Sequence, residues 1–147
     1  MNLLKASVVA LSLSLGAGST AMAQIAPSQE RAERLTELVL GAKDNDYAIS
    51  TQNYQLVAGK YYRLKVTSGG FKEYMFRAPD LFRNAWIRQV VVNDLEVHTN
   101  WIHGLEFDAE GTMEVFFIPQ RGGEYEWFID GFEKNGMTGK FVVTYPK

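Results

Sequence analysis

The residues best suited to hold a metal are two histidines, His98 and His103, set five positions apart. That offset puts them on opposite faces of a strand, or about 140° apart on a helix, so a shared ion requires a bend such as Asn100 could provide. Glu96, Glu106 and Asp108 are near them in the chain, and imidazole with carboxylate suits borderline transition metals. The spacing matches none of the tight zinc patterns, so polar surface histidines are the competing reading. Met75, Met113 and Met137 offer thioethers of the kind that hold Cu(I), yet they are scattered. Without Met-x-x-Met clustering, core filling is the simpler account of them.

Catalytic chemistry is poorly represented. The chain has no cysteine, which removes thiolate nucleophiles, thiolate ligands and disulfides together. No Ser-His-Asp order, phosphate-cradling glycine loop or zinc-protease helix is present. Asp130 and Glu133 flank a turn, but two carboxylates three residues apart on a solvated loop are ordinary surface composition. The inventory reads as that of a protein that is not an enzyme.

The elements that must position these residues are mostly strands. Tyr47 to Ser50, Tyr54 to Val57, Tyr61 to Thr67, Glu73 to Arg77, Ile87 to Val92, Leu105 to Phe107, Met113 to Ile118, Tyr125 to Ile129 and Lys140 to Tyr145 are rich in aromatic and β-branched residues. Turn signals separate them, among them Ala58-Gly59, Asn93-Asp94, Glu110-Gly111 and Asn135-Gly136. Short strands at such intervals predict an antiparallel sandwich or barrel. In Tyr62 to Val66 the residues Tyr62, Leu64 and Val66 share one face and Arg63 and Lys65 the other, which predicts a half-buried strand. Pro79 to Asn84 reads as a single helical turn, and the whole 78–104 stretch as a surface excursion of the kind that carries function.

Upstream, Ser28 to Leu40 begins after Pro27 with a capping serine and places Ala32, Leu35, Leu38 and Val39 near helical spacing. A short amphipathic helix is the first reading. A charged arm whose Leu35 to Leu40 end joins the sheet as an edge strand is the alternative. Further upstream, Lys5, the apolar run Ala6 to Leu15 and the small-x-small site Ala21-Met22-Ala23 form a secretory signal pattern. The run is too short for a membrane span, which needs about 20 residues, and no later segment supplies one. The division predicted is a signal peptide over 1–23, an arm or short helix over 24–45 and one domain over 46–147. With 15 basic and 17 acidic residues, the chain lacks the basic surface that nucleic-acid binding demands.

Two segments carry a family resemblance. Tyr54 to Val66, a strand, the Ala58-Gly59 turn and a second strand, resembles the early hairpin of cupredoxins. Plastocyanin-like members of that family end in a Gly-x-Tyr strand, a Cys-x-x-His-x-x-x-x-Met ligand loop with a glycine before the methionine, then a glycine and a valine-rich strand. The same frame here, without gaps, reads Gly123-Glu124-Tyr125, Ile129, Phe132, Gly136-Met137, Gly139 and Phe141-Val142-Val143. Ile129 stands at the cysteine position and Phe132 at the histidine position, while Met137 keeps the methionine. The family's first histidine falls around Lys72-Glu73-Tyr74, and none of these is histidine.

The resemblance implies an all-β Greek-key sandwich of cupredoxin type, and the substitutions imply that its usual electron-transfer role is absent. A blue-copper centre needs a thiolate, two imidazoles and a weak axial sulfur. Ile129 and Phe132 would instead fill the copper cavity with hydrocarbon. With the signal, this yields a periplasmic protein of a Gram-negative bacterium, a non-redox binding or accessory protein in metal handling or in assembly of a redox system. A periplasmic protein partner is implied, with Phe132 and Trp101 as candidate contacts among the aromatics Phe82, Trp86, Trp101, Trp127 and Phe132. The alternative is a copper or iron carrier using the substitute ligands Glu73, His98, His103 and Met137.

Overall fold

The computed structural model describes residues 30–147. The signal pattern over 1–23, and the start of the arm, lie outside the described residues. Twelve strands and one helical turn occur in the order β1 (Glu33–Arg34), β2 (Leu38–Ala42), β3 (Asn45–Ile49), β4 (Asn53–Val57), β5 (Tyr62–Ser68), β6 (Tyr74–Arg77), α1 (Pro79–Arg83), β7 (Ala85–Val92), β8 (Leu95–Val97), β9 (Leu105–Phe107), β10 (Gly111–Pro119), β11 (Gly123–Ile129) and β12 (Thr138–Thr144). A 3₁₀ turn at Glu133–Asn135 interrupts the last connection.

The strands form two sheets. One runs β3-β2-β5-β10-β7-β8 with β1 also on β5, and the other runs β4-β12-β11-β6-β9. Their inner faces make one core, in which Trp127, Tyr62, Tyr74, Phe76, Phe82, Phe117 and Phe141 are fully buried. Each inner face is built by alternation. In β5, Tyr62, Leu64 and Val66 are buried while Arg63 and Lys65 are half-buried on the other side, the pattern expected of a strand with one face on a core. Large aromatics at this density supply much of the apolar burial that a chain without disulfides depends on. Trp127 also ties the sandwich end together, its indole Nε1–H donating to the Gln52 carbonyl at 2.9 Å.

The helix expected over Ser28 to Leu40 does not form in its described part. Leu38 and Leu40 are both fully buried with Val39 between them half-buried, which is a period of two rather than of 3.6. Before that, the Glu33 and Leu35 amides donate to the Tyr61 and Arg63 carbonyls at 2.9 and 3.0 Å. β2 continues in parallel along β5, with Leu38 opposite Val66 and Leu40 opposite Ser68. A helix here would leave that flank of β5 without backbone partners, and satisfying them outweighs a marginal helical propensity. The arm therefore joins the sheet, but β3 pairs outside it, so β2 is not the edge. The sheet consequently includes residues upstream of 46.

The 78–104 excursion is partly as expected. Pro79–Arg83 is the helical turn. Asn93 and Asp94, both with positive φ of 49° and 63°, make the two-residue turn of a hairpin, the geometry whose twist matches its flanking strands. That hairpin adds β8 as one edge of the larger sheet, opposite the β3 edge.

Candidate functional site

The end of the sandwich to which the sequence resemblance assigns the copper loop is closed by side chains. Ile129 and Met137 are fully buried. Phe132 is half-buried and packed on the core, its ring edge-on to Tyr47 with centroids 5.3 Å apart and to Tyr74 at 6.2 Å. Tyr74 is the residue of the Lys72–Tyr74 stretch that turns inward. It is fully buried and its hydroxyl donates to the Asp46 carbonyl at 2.7 Å. Burial, then the neighbouring Asp46 and Tyr47, hold its phenol above the usual range. Gly41, at φ 78°, makes room for that ring, since a Cβ there would collide with the Tyr74 hydroxyl. The plug is thus built from both sheets: Tyr47 from β3, Tyr74 from β6, Ile129 from the end of β11, and Phe132 and Met137 from the β11–β12 connection.

The connection keeps the frame of a ligand loop with its own hydrogen bonds satisfied. The Ile129 amide donates to the Met137 carbonyl at 2.9 Å, Phe132 to Ile129 at 2.9 Å, Gly136 to Glu133 at 3.0 Å and Met137 to Phe132 at 3.3 Å. Gly136 supplies the left-handed turn at φ 85°, a conformation glycine adopts without penalty. Outside, Lys72 pairs with Asp46 at 3.3 Å and lies 5.4 Å from the centre of the Tyr47 ring. These residues do not fit a type 1 copper ion: the chain has no thiolate, and alkyl and phenyl groups stand at the cysteine and histidine positions. Phe132 is not the exposed knob that a docking role requires of it.

The four substitute ligands are dispersed. Met137 is sealed in the core. His98 is exposed, its Nε2 3.2 Å from Glu96 Oε2. His103 lies on the loop with Trp101, their ring centroids 6.0 Å apart. Glu73 joins Glu106 and Asp108, with ligand atoms all within 4.8 Å of one another and all three residues exposed. Among the described residues, that trio is the one group of three or more such side chains, and it includes neither histidine. Strand pairing assembles it: β6 and β9 are antiparallel with Tyr74 opposite Phe107 and Met75 opposite Glu106, so residues flanking the buried pairs point outward together. Three carboxylates offer hard oxygens, which suit Mg²⁺, Ca²⁺ or Mn²⁺ better than Cu(I). Glu106 and Asp108 also border an open cleft of about 280 Å³ whose floor includes Val92, Phe107 and Met113.

The other unusual surface is the excursion. Trp101 is 53% exposed, Leu95 72% and Val97 55%. Gln89, by contrast, is buried on the outer side of β7 and donates from Nε2 to Glu96 Oε1 at 2.8 Å, so Gln89, Glu96 and His98 form one polar chain. Trp101 stands out in the sequence, whereas Tyr47, Leu95 and Val97 do not. The last two were detectable, because Leu95 and Val97 follow the Asn93-Asp94 turn with the alternation of a returning strand.

No protein-family model matches the chain, and no curated protein matches it. Solved structures do. A laccase-like multicopper oxidase from Ochrobactrum sp. superposes with a TM-score of 0.58 at 12% identity, over 82% of this chain and 33% of that one. A laccase from Pediococcus acidilactici gives 0.63 at 11%, over 84% and 29%, and a multicopper oxidase from Campylobacter jejuni 0.51 at 10%, over 84% and 32%. The chain therefore has a cupredoxin-like fold, lacks the type 1 cysteine, and spans about a third of the length of those oxidases.

Proposed function

We propose that the protein is a non-redox binding or accessory protein of the periplasm, a cupredoxin scaffold serving metal handling or the assembly of a redox system rather than electron transfer or catalysis. The observation that carries this reading is the plug. Ile129, Phe132 and Tyr74 fill with packed hydrocarbon and phenol the volume where the fold's copper ligands would converge, while the surrounding frame of glycines and hydrogen bonds is kept. A scaffold kept without its metal chemistry retains its surfaces as what it can offer, and the excursion supplies exposed aromatic and aliphatic side chains, which favour protein contacts. The likeness to multicopper oxidases supports the redox context through the fold alone.

Purified protein incubated with copper should show no intense visible copper–thiolate absorption and should not accept electrons from a small reductant through bound copper. Reversible copper-dependent electron transfer would overturn the reading. A second reading, a metal carrier for copper or iron, has one observation beside it, the carboxylate trio of Glu73, Glu106 and Asp108, whose hard oxygens speak for the iron arm of that reading over the Cu(I) arm. Calorimetric titration with Cu(I), Cu(II) and Fe(II) on the parent, on a Glu73→Gln, Glu106→Gln variant and on a His98→Ala, His103→Ala variant separates the two. Tight binding abolished by either pair would establish a carrier, and no binding would leave the accessory role.

A further inference from the structure

We propose that the protein self-associates through the free edge of β8, two copies joining antiparallel about a two-fold axis at Val97. The reading goes beyond the accessory role and stands whether or not that role is correct. β8 ends the larger sheet, and its three residues are all exposed. An edge strand with unpaired N–H and C=O groups is a template for another strand unless something blunts it. β8 is short and carries the charged Glu96, both of which limit open-ended pairing, but it has no proline, no lysine and no bulge, and its register with β7 is regular from Val92–Leu95 through Val90–Val97.

The hairpin geometry determines which groups are offered. A two-residue turn closes on Val92 and Leu95 as a hydrogen-bonded pair, so Val90 and Val97 are the next such pair. Glu96, and His98 one residue beyond the strand, then direct their backbone N–H and C=O groups outward. Among the described residues β8 pairs with β7 alone.

Charge selects the register. Centring the two-fold on Glu96 sets that carboxylate against its own copy, and like charges directly opposite destabilise a strand pair; centring it on His98 moves the axis past the end of β8 and sets Glu96 opposite Asn100. Centring on Val97 places Glu96 opposite the other copy's His98 twice over. Each such pair exchanges two backbone hydrogen bonds, giving four in all. The same register puts the two Val97 side chains in contact on one face, covering groups that are 55% exposed in the single copy. On the opposite face, each Glu96, already 3.2 Å from its own His98, meets a second imidazole. The arrangement is isologous and closes at two copies, so it leads to a dimer rather than a fibre.

The absence of cysteine makes the test direct. In the proposed register, Val97 and its copy form a non-hydrogen-bonded pair with Cα atoms about 4.5 Å apart, within the disulfide range of about 4.4–6.8 Å, whereas Leu95 faces Thr99. Sedimentation velocity over a wide concentration range should show reversible dimerisation of the parent. Val97→Lys should abolish it, with circular dichroism and melting temperature unchanged because the side chain is exposed. Under mild oxidation Val97→Cys should form a crosslinked dimer several-fold faster than Leu95→Cys. A parent that stays monomeric at every concentration would overturn the proposal. So would a dimer that survives Val97→Lys, or one in which Leu95→Cys crosslinks as fast as Val97→Cys.

Discussion

The β11–β12 end and the β7–β8 edge treat apolar side chains in opposite ways. At the first, Ile129 and Met137 are fully buried and Phe132 packs between Tyr47 and Tyr74. At the second, Leu95, Val97 and Trp101 stand more than half exposed. The burial term is the same per unit area in both places, about 25 cal/mol per Å². Only the plug has a second sheet and a covering hairpin to complete it. One end of the sandwich is closed and the β8 edge stands open, and the variants below act on one side or the other of that contrast.

The largest effect belongs to the plug. Phe132→Ser should cost about 2–3 kcal/mol of stability, somewhat below the roughly 3–5 kcal/mol of a fully buried phenylalanine because the ring is half-buried. Denaturant unfolding measures it, and a loss under 0.5 kcal/mol would mean the plug is not packed. Tyr74→Phe should cost about 1 kcal/mol, since the hydroxyl's bond to the Asp46 carbonyl goes and that acceptor loses a partner. Trp101→Ser should change stability by no more than about 0.5 kcal/mol, as exposed substitutions usually do.

Titration sharpens the same contrast. Burial raises the Tyr54 and Tyr74 phenols above their ordinary value near 10. A group whose folded pKa is raised stabilises fully below its unfolded pKa and loses that contribution above it, because the unfolded chain releases its proton first. Stability from these tyrosines should be level below about pH 10 and fall as pH rises further. Tyr54→Phe should flatten that fall. A slope that begins near neutrality would point to other groups.

How much of this the sequence made legible depends on which contacts are local. The period-two strands from Tyr54 onward, the Pro79 turn and the Asn93-Asp94 hairpin follow from side-chain alternation and turn chemistry, which neighbours in the chain decide. The segment before Lys43 misleads because Leu35, Leu38 and Val39 satisfy a helical spacing, and only the vacant flank of β5, distant in sequence, favours a strand there. The ligand frame at Gly123 to Val143 was readable position by position, and so was the loss of copper chemistry at Ile129 and Phe132. What stands in place of the metal was not: Tyr47 comes from a hairpin some 85 residues earlier, and no local pattern announces that contact. For the same reason Glu73 was separable from His98 and His103 only once β6 and β9 were seen to pair.

In this cupredoxin-like fold the position that the resemblance assigns to copper is filled by Ile129, Phe132 and Met137. Amide correlation spectra of isotope-labelled protein, recorded as Cu(II) is added, test it most directly, because the paramagnetic ion broadens signals of nearby amides. The Ile129, Phe132 and Met137 amides should persist unchanged at copper levels that broaden any surface carboxylate or histidine site. Selective loss of those three signals at low copper would place the metal inside the plug and show that its side chains leave room for an ion.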